Sequence, residues 1–213
     1  MADTVGSFVV EHSDQLLRIS MTLTGIPDVG DLVAKKVTEE AQNQQQRQRL
    51  TKAMNESRWD DALAEINAQL RDQPNSVKLQ RTKFKVLAVG KKDREAAVAC
   101  ADAVYDSIKD DAQALNRFAW ALLTEDQYSA AYDDLALKLS ERSNKVTNHN
   151  NWAYLDTLAW AKYKTDDAHS AVELEKKAIE RCNGRSIDEL KKSLARFEAA
   201  AAQGKLAAKE NSG

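Results

Sequence analysis

The sequence contains few of the residues that interrupt helices. Among its 213 residues there are only 7 glycines and 2 prolines. Alanine, leucine, glutamine, glutamate and lysine are abundant instead, and these are among the best helix formers. Hydrophobic residues make up 43% of the chain, which is enough to form a core. We therefore expect a mainly α-helical protein.

Cysteines and long apolar runs are also scarce. Cys100 and Cys182 are the two cysteines, and no CxxC pair is present, which excludes a disulfide framework and a zinc ribbon. We expect two free thiols, with a single disulfide or a redox role as the alternative. No apolar run approaches the roughly 18–20 residues that cross a bilayer. The N-terminal residues lack the basic and apolar regions of a secretion signal, so the default expectations are no membrane partner and a cytoplasmic location.

Charges of the two signs nearly cancel, with 31 Lys and Arg against 33 Asp and Glu. No overall field therefore favours nucleic acid or a membrane as a partner. His12, His149 and His169 do not pair with Cys, Asp or Glu at the spacing of a metal site or a catalytic triad. Glycine-rich phosphate loops are absent as well. The sequence thus predicts no cofactor, no metal site and no enzymatic activity.

The first 40 residues differ from the rest of the chain. Two apolar runs, residues 6–10 and 16–21, flank polar turn residues and predict a β-hairpin. Residues 24–28 then break the chain, and Asp28 or Asp31 could cap the helix that follows. A lone hairpin is only marginally stable, and its unpaired edge is a route to homo-oligomers.

This order of strand, turn, strand and helix resembles the last third of a thioredoxin-like domain. The family's CxxC is absent, and Val5 stands where the family has a cis-proline before its penultimate strand. Together with the repeats that follow, the segment resembles the C-terminal part of large bacterial redoxins. That resemblance implies that residues 1–40 are the remnant of a redox domain whose active site lies outside this chain.

Two segments that lie forty residues apart repeat each other. Leu115–Ala121 matches Leu155–Ala161, and both contain the sequence Ala-Trp-Ala. Repeats of this kind predict helical units that stack on their neighbours, because a single unit cannot bury its own apolar face.

Residues 57–75 resemble the second helix of a tetratricopeptide repeat. Ala62 is the small residue that lets two helices approach, Ile66 is the bulky residue four positions later, and Pro74 ends the helix. Small residues recur at intervals of 34, 35 and 40 residues, near the family's period of about 34. The predicted small residues are Ala62, Ala96, Ala131 and Ala171, with Ile66, Cys100 and Leu135 four positions later and Ala103 and Ala178 beyond them.

The resemblance implies a mainly α fold, a right-handed α–α superhelix of tetratricopeptide-like helix pairs with a capping helix and a short N-terminal β-hairpin. The predicted domains are the hairpin and helix over 1–40, the repeats over 41–204 and a frayed tail over 205–213. Residues 41–57 are predicted to form a solvated helix, with a flexible linker as the alternative. The first helix of each later pair is predicted at Val77–Val89, Ala112–Leu123 and Trp152–Lys164. A polar loop is predicted at 141–151. A capping helix is predicted at Ser186–Ala201, ended by Gly204.

Basic residues cluster on one face of a predicted first helix. Lys78, Arg81 and Lys85 are three and four positions apart, which places them on the same side. In tetratricopeptide proteins the first helices line a concave groove that binds peptides, so the resemblance places these cations in that groove. The next units add Asn116, Arg117, Trp120 and Trp160. Such a groove suits an extended acidic peptide or a C-terminal carboxylate, and the alternative is a solvated basic face with the tryptophans packed in the core.

Two functional hypotheses follow from these patterns. The first is a non-catalytic helical-repeat scaffold that binds a protein or peptide partner. The alternative is a C-terminal fragment of a thioredoxin-like thiol-disulfide oxidoreductase, whose repeats serve partner binding.

Overall fold

The computed structural model describes residues 5–12, 15–22, 29–128, 130–184 and 186–210, and their side chains from residue 35 to residue 204. These residues are mainly helical. The helices are α1 Val29–Asn55, α2 Trp59–Asp72, α3 Val77–Lys85, α4 Arg94–Ile108, α5 Ala112–Thr124, α6 Asp133–Val146, α7 Trp152–Lys164, α8 Ala168–Arg181 and α9 Ile187–Glu210, with a π-helical turn Val86–Lys91 directly after α3.

The chain divides into two units, residues 1–49 and 50–213. In the first unit, strands β1 Val5–His12 and β2 Gln15–Thr22 pair antiparallel, with Val5 opposite Thr22. Helix α1 begins at Val29 and continues without a break through residue 40, where the sequence predicts a domain boundary. Asp28, one of the two predicted caps, lies outside the described residues.

Acidic or amide side chains cap the start of four helices of the second unit. Asp93, Asp111 and Asp167 each accept a hydrogen bond from the backbone N–H three residues later, at 3.0, 2.9 and 3.1 Å. Asn151 accepts from the N–H of Ala153 at 3.0 Å. These caps satisfy N–H groups that have no partner inside the helix. The positions of the caps therefore fix where α4, α5, α7 and α8 begin.

One fully buried alanine recurs in the second helix of every pair. In α2, α4, α6 and α8 it lies four residues after the residue that precedes the helix. Each has no exposed surface, and the intervals between them are 35, 39 and 35 residues. A side chain this small lets the neighbouring helix approach closely. The four alanines are Ala62, Ala97, Ala136 and Ala171.

The predicted register was wrong in the two middle units. Ala96 is only half-buried, and Ala131 is exposed and precedes α6, which begins at Asp133. The predicted loop at 141–151 is also wrong in its first part, because α6 continues to Val146. The additional residues lie instead in the connection 125–132, between α5 and α6.

Aromatic packing explains why the connection 125–132 is not helical. Tyr128 and Tyr132 are both buried, and their rings lie 5.7 and 5.3 Å from the ring of Phe84. Ala130 between them has a positive φ of 55°, which a helix does not allow. The apolar residues that look helical in the sequence therefore anchor a loop.

The position four residues after each alanine is also completely buried, but it differs chemically between the pairs. Ile66 occupies it in α2, as predicted. The prediction of Cys100 and Leu135 at this position in the next two pairs was wrong. Cys100 is half-buried, and Leu135 precedes the buried alanine of its helix, Ala136. Ala103 is exposed. The four residues at this position are Ile66, Ala101, Ser140 and Glu175.

The π-helical turn replaces the predicted helix end at Gly90. The helix continues through this glycine and ends at Lys92, whose φ of 54° is left-handed. A Cβ atom on Gly90 would lie 2.7 Å from Cε3 of Trp59, so the absent side chain makes room for the indole. The turn thus packs closely against the start of α2.

Helix α9 packs on α8, and its Phe197 ring also contacts aromatic residues of α7. Leu190, Phe197 and Ala201 are buried along one stripe, as the sequence predicts. The Phe197 ring lies 5.2 Å from Trp160 and 5.0 Å from Tyr163. The predicted end at Gly204 was wrong, because α9 continues to Glu210. The helix covers the apolar face that a further repeat would otherwise bury.

Candidate peptide-binding cleft

A cleft of about 480 Å³ lies between α3 and α5. Its walls combine basic and aromatic side chains with two carboxylates. The basic residues are Lys78, Arg81, Lys85 and Arg117, the aromatic residues are Phe84, Phe118 and Tyr128, and the acidic residues are Asp111 and Glu125.

The four cations of the cleft come from two helices. Lys78, Arg81 and Lys85 lie on one face of α3, and Arg117 faces them from α5. Lys78, Lys85 and Arg117 are exposed, while Arg81 is half-buried. Within the part of the chain that the structure describes, none of the four forms an ion pair within 4.0 Å. Their positive charge is therefore available to a ligand.

Arg81 is the most enclosed of these cations. Its guanidinium carbon lies 5.0 Å from the centre of the Phe118 ring, which is cation–π geometry. Burial, and then the nearby charge of Arg117, lower its pKa, but a guanidinium stays charged under ordinary conditions. Burial raises the pKa of Tyr128 to about 12, so its phenol is neutral. Arg81 thus presents a partly dehydrated positive charge above an aromatic floor.

The structure brings four of the seven predicted site residues together in the cleft, and the other three lie outside its lining. Asn116 is half-buried, and its Oδ1 atom has no hydrogen-bond partner in the described part of the chain. Trp120 is 39% exposed, so the alternative that it packs in the core is wrong. Trp160 is half-buried against Phe197, with the guanidinium of Arg196 5.4 Å from its ring.

Sequence reasoning missed the aromatic floor of the cleft. Phe118 directly follows Arg117, so its place in α5 could have suggested that it lies near the cations. Tyr128 gave no such signal, because the residues around it look like the start of a helix. Phe84 is 1% exposed, so it belongs to the core as well as to the lining of the cleft.

A second hollow contains two of the histidines. His149 and His169 line it together with Glu141, Lys145 and Glu173. Among the described residues, no group of three or more His, Cys, Asp or Glu side chains is placed to hold a metal ion.

None of the helices in the described part of the chain is long and apolar enough to cross a membrane. The free thiols predicted for Cys100 and Cys182 are confirmed.

No family model matches the chain, and no curated protein matches it. Among solved structures it is similar to the form of MamA from Desulfovibrio magneticus RS-1 that runs from residue 41 to the end. The identity is 18%, the match covers 79% of this chain and 90% of that chain, and the TM-score is 0.50. A second MamA crystal structure matches with 16% identity over 75% of this chain and 86% of that chain, with a TM-score of 0.44.

Identities this low show the fold alone. They do not bear on the redoxin resemblance of the first 40 residues, which stays a prediction. The fold that the comparison supports for the helical part of this chain is a tetratricopeptide-like array of helix pairs.

Proposed function

We propose that the chain is a non-catalytic helical-repeat scaffold that binds an extended acidic segment of a partner protein in the cleft between α3 and α5. The observation that supports this most directly is the group of four cations around an aromatic floor, none of which has an ion-pair partner among the described residues. The tetratricopeptide-like fold agrees with a role in protein interaction.

The charge of the cleft favours an anion. Its four cations are opposed by two carboxylates, and the Asp111 carboxylate already accepts the N–H of Ala114 as a helix cap. Carboxylates of a partner would form charge-assisted hydrogen bonds with the lysines and with Arg117 and Arg81. Such bonds are stronger than neutral ones, and Arg81 gains most because it is already partly dehydrated.

The apolar surroundings favour a peptide over a small anion. Phe118 and Tyr128 line the same cleft as the cations, so a chain with both acidic and apolar side chains can contact both. Trp120 follows Arg117 by three residues on α5 and is 39% exposed. In this proposal it receives an apolar side chain of the same segment, because large aromatic side chains contribute much of the binding energy at protein interfaces.

Charge reversal tests the proposal. A library of fluorescent peptides rich in Asp and Glu is screened against the whole chain, and the best binder is measured by fluorescence anisotropy. Arg81→Glu combined with Lys85→Glu should raise its Kd at least about tenfold, because two attractions become repulsions. Binding by the unchanged chain should also weaken as salt rises.

The matched control makes the same change of net charge elsewhere. Lys177→Glu combined with Lys191→Glu alters two exposed lysines on α8 and α9, outside the cleft. This variant should bind within about twofold of the unchanged chain. An unchanged Kd in the Arg81 and Lys85 variant, or an equal loss in the control, would show that the cleft is not the site.

A further inference from the structure

Glu175 is a completely buried acid at a position that is uncharged in every other helix pair. It lies four residues after Ala171 and is 0% exposed, where the other pairs have Ile66, Ala101 and Ser140. Among the described residues, no backbone N–H, hydroxyl or basic group donates a hydrogen bond to either of its buried carboxylate oxygens. An apolar or hydroxyl side chain satisfies the packing at this position in the other pairs, so the carboxyl group of Glu175 adds a property that packing does not require.

The neighbour of Glu175 is a second acid. Asp156 lies on α7, which packs against α8, and its carboxyl group lies close enough to that of Glu175 for a hydrogen bond if one of the two is protonated. Two deprotonated carboxylates can only accept hydrogen bonds. A hydrogen bond between them therefore requires that one of the two groups holds a proton.

No described cation neutralises the pair. Helices α7 and α9 pack against α8, and Asp156 is the one charged side chain among the described residues that acts on Glu175. Lys162 on α7 is half-buried, but its Nζ atom lies 2.8 Å from Glu141. The other described charged side chains of α7, α8 and α9 are exposed, including Lys176 beside Glu198 and Arg196 over Trp160.

We propose that Asp156 and Glu175 share a proton and make the packing of α7 against α8 dependent on pH. While the pair holds a proton, the two carboxyl groups can hydrogen-bond to each other between the packed helices. When both are charged, the buried charge of Glu175 lies beside the like charge of the half-buried Asp156, with no counter-ion among the described residues, which strongly disfavours the packed state. The pair then loosens the last helices of the array at alkaline pH and leaves them packed at neutral and acid pH.

The direction of the pKa shifts agrees with this mechanism. Burial, followed by the charge of Asp156, raises the pKa of Glu175 to about 8, and burial raises the pKa of Asp156 to about 6. An acid whose pKa is raised by folding stabilises the folded state below its ordinary pKa. That stabilisation falls as the pH rises above the ordinary value and is lost once the pH passes the folded-state pKa. For Glu175 the interval runs from its ordinary value of 4.5 to about 8.

Titration of the unchanged chain is the first test. The side-chain carboxyl carbons of Asp156 and Glu175 are assigned by ¹³C NMR and followed from pH 3 to pH 10. We expect two coupled steps, both above the ordinary range of Asp and Glu. Two carboxyl groups that both titrate within that range would overturn the proposal, whatever the variants do.

Denaturant unfolding gives the second test. Between pH 6 and pH 9 the folding equilibrium constant of the unchanged chain should fall at least about tenfold more than that of Glu175→Gln, which is neutral and can still donate to Asp156. Glu180→Gln, an exposed change on the same helix, should follow the unchanged chain. Equal pH dependence in the Glu175→Gln variant and the unchanged chain would contradict a shared proton.

Discussion

The cations of the cleft and the acids between α7 and α8 are both groups of like charge that lack counter-ions among the described residues, but they differ in their access to water. Three of the four cleft cations are exposed, so water screens their repulsion. Glu175 has no exposed surface, and its repulsion with Asp156 is relieved by a proton instead. The same electrostatic arrangement therefore prepares one region to bind a partner and makes the other sensitive to pH.

The largest expected effect is on the free energy of unfolding, and it tests whether the core beside the cleft and the core beside the acid pair act independently. Phe84→Ala and Phe197→Ala should each lower the free energy of unfolding by about 3–5 kcal/mol, because both rings are almost completely buried. Only Phe84 lines the cleft, so only its loss should also weaken peptide binding. Urea unfolding and anisotropy check this under conditions where both variants remain folded. Equal loss of binding in both variants would mean that the two regions are not independent.

A smaller effect tests the register that makes Glu175 equivalent to Ile66, Ala101 and Ser140. Ala136→Leu should lower the free energy of unfolding by about 1–3 kcal/mol, since this position has no space for a larger side chain. Ala131→Leu should change it by less than about 0.5 kcal/mol, because Ala131 is exposed. Urea unfolding measures both variants. If Ala131→Leu proved more destabilising than Ala136→Leu, the register that the sequence predicts would be correct instead.

The smallest expected effect concerns an exposed charge of the cleft. Lys85→Gln should change the free energy of unfolding by less than about 0.5 kcal/mol at every pH from 6 to 9, because the side chain is exposed and has no ion pair. The measurement is urea unfolding at each pH, beside Glu175→Gln. A difference from the unchanged chain that grows strongly with pH would remove the distinction between exposed and buried like charges.

Local signals predicted much of the fold. The spacing of apolar residues predicted α5 and α7 to within one residue, and the small residues Ala62, Ala171 and Ala178 are buried as predicted. The register failed where tertiary packing overrode helix propensity. Tyr128 and Tyr132 reach Phe84, more than 40 residues away in the sequence, and no local pattern shows that contact.

The sequence also predicted part of the cleft and none of the acid pair. The spacing of Lys78, Arg81 and Lys85 was sufficient to place them on one side of α3. The approach of Arg117 from α5 required the packing of two units. Glu175 gave one readable signal, since it lies between Ala171 and Ala178 on the buried side of an amphipathic helix. Its partner, Asp156, lies on another helix, and only the packing of the pair brings the two together.

The π-helical turn Val86–Lys91 has a consequence for changes in chain length. Its hydrogen bonds span five residues rather than four, so the wide turn holds one residue more than an α-helical turn. Deletion of one residue here would convert it to regular α-helix while α3 and α4 keep their own hydrogen bonds. The structural change would occur where the Trp59 ring packs against Gly90, so this contact would have to adjust. Evolution can thus alter the length of this repeat by one residue without rebuilding the face that carries the cleft.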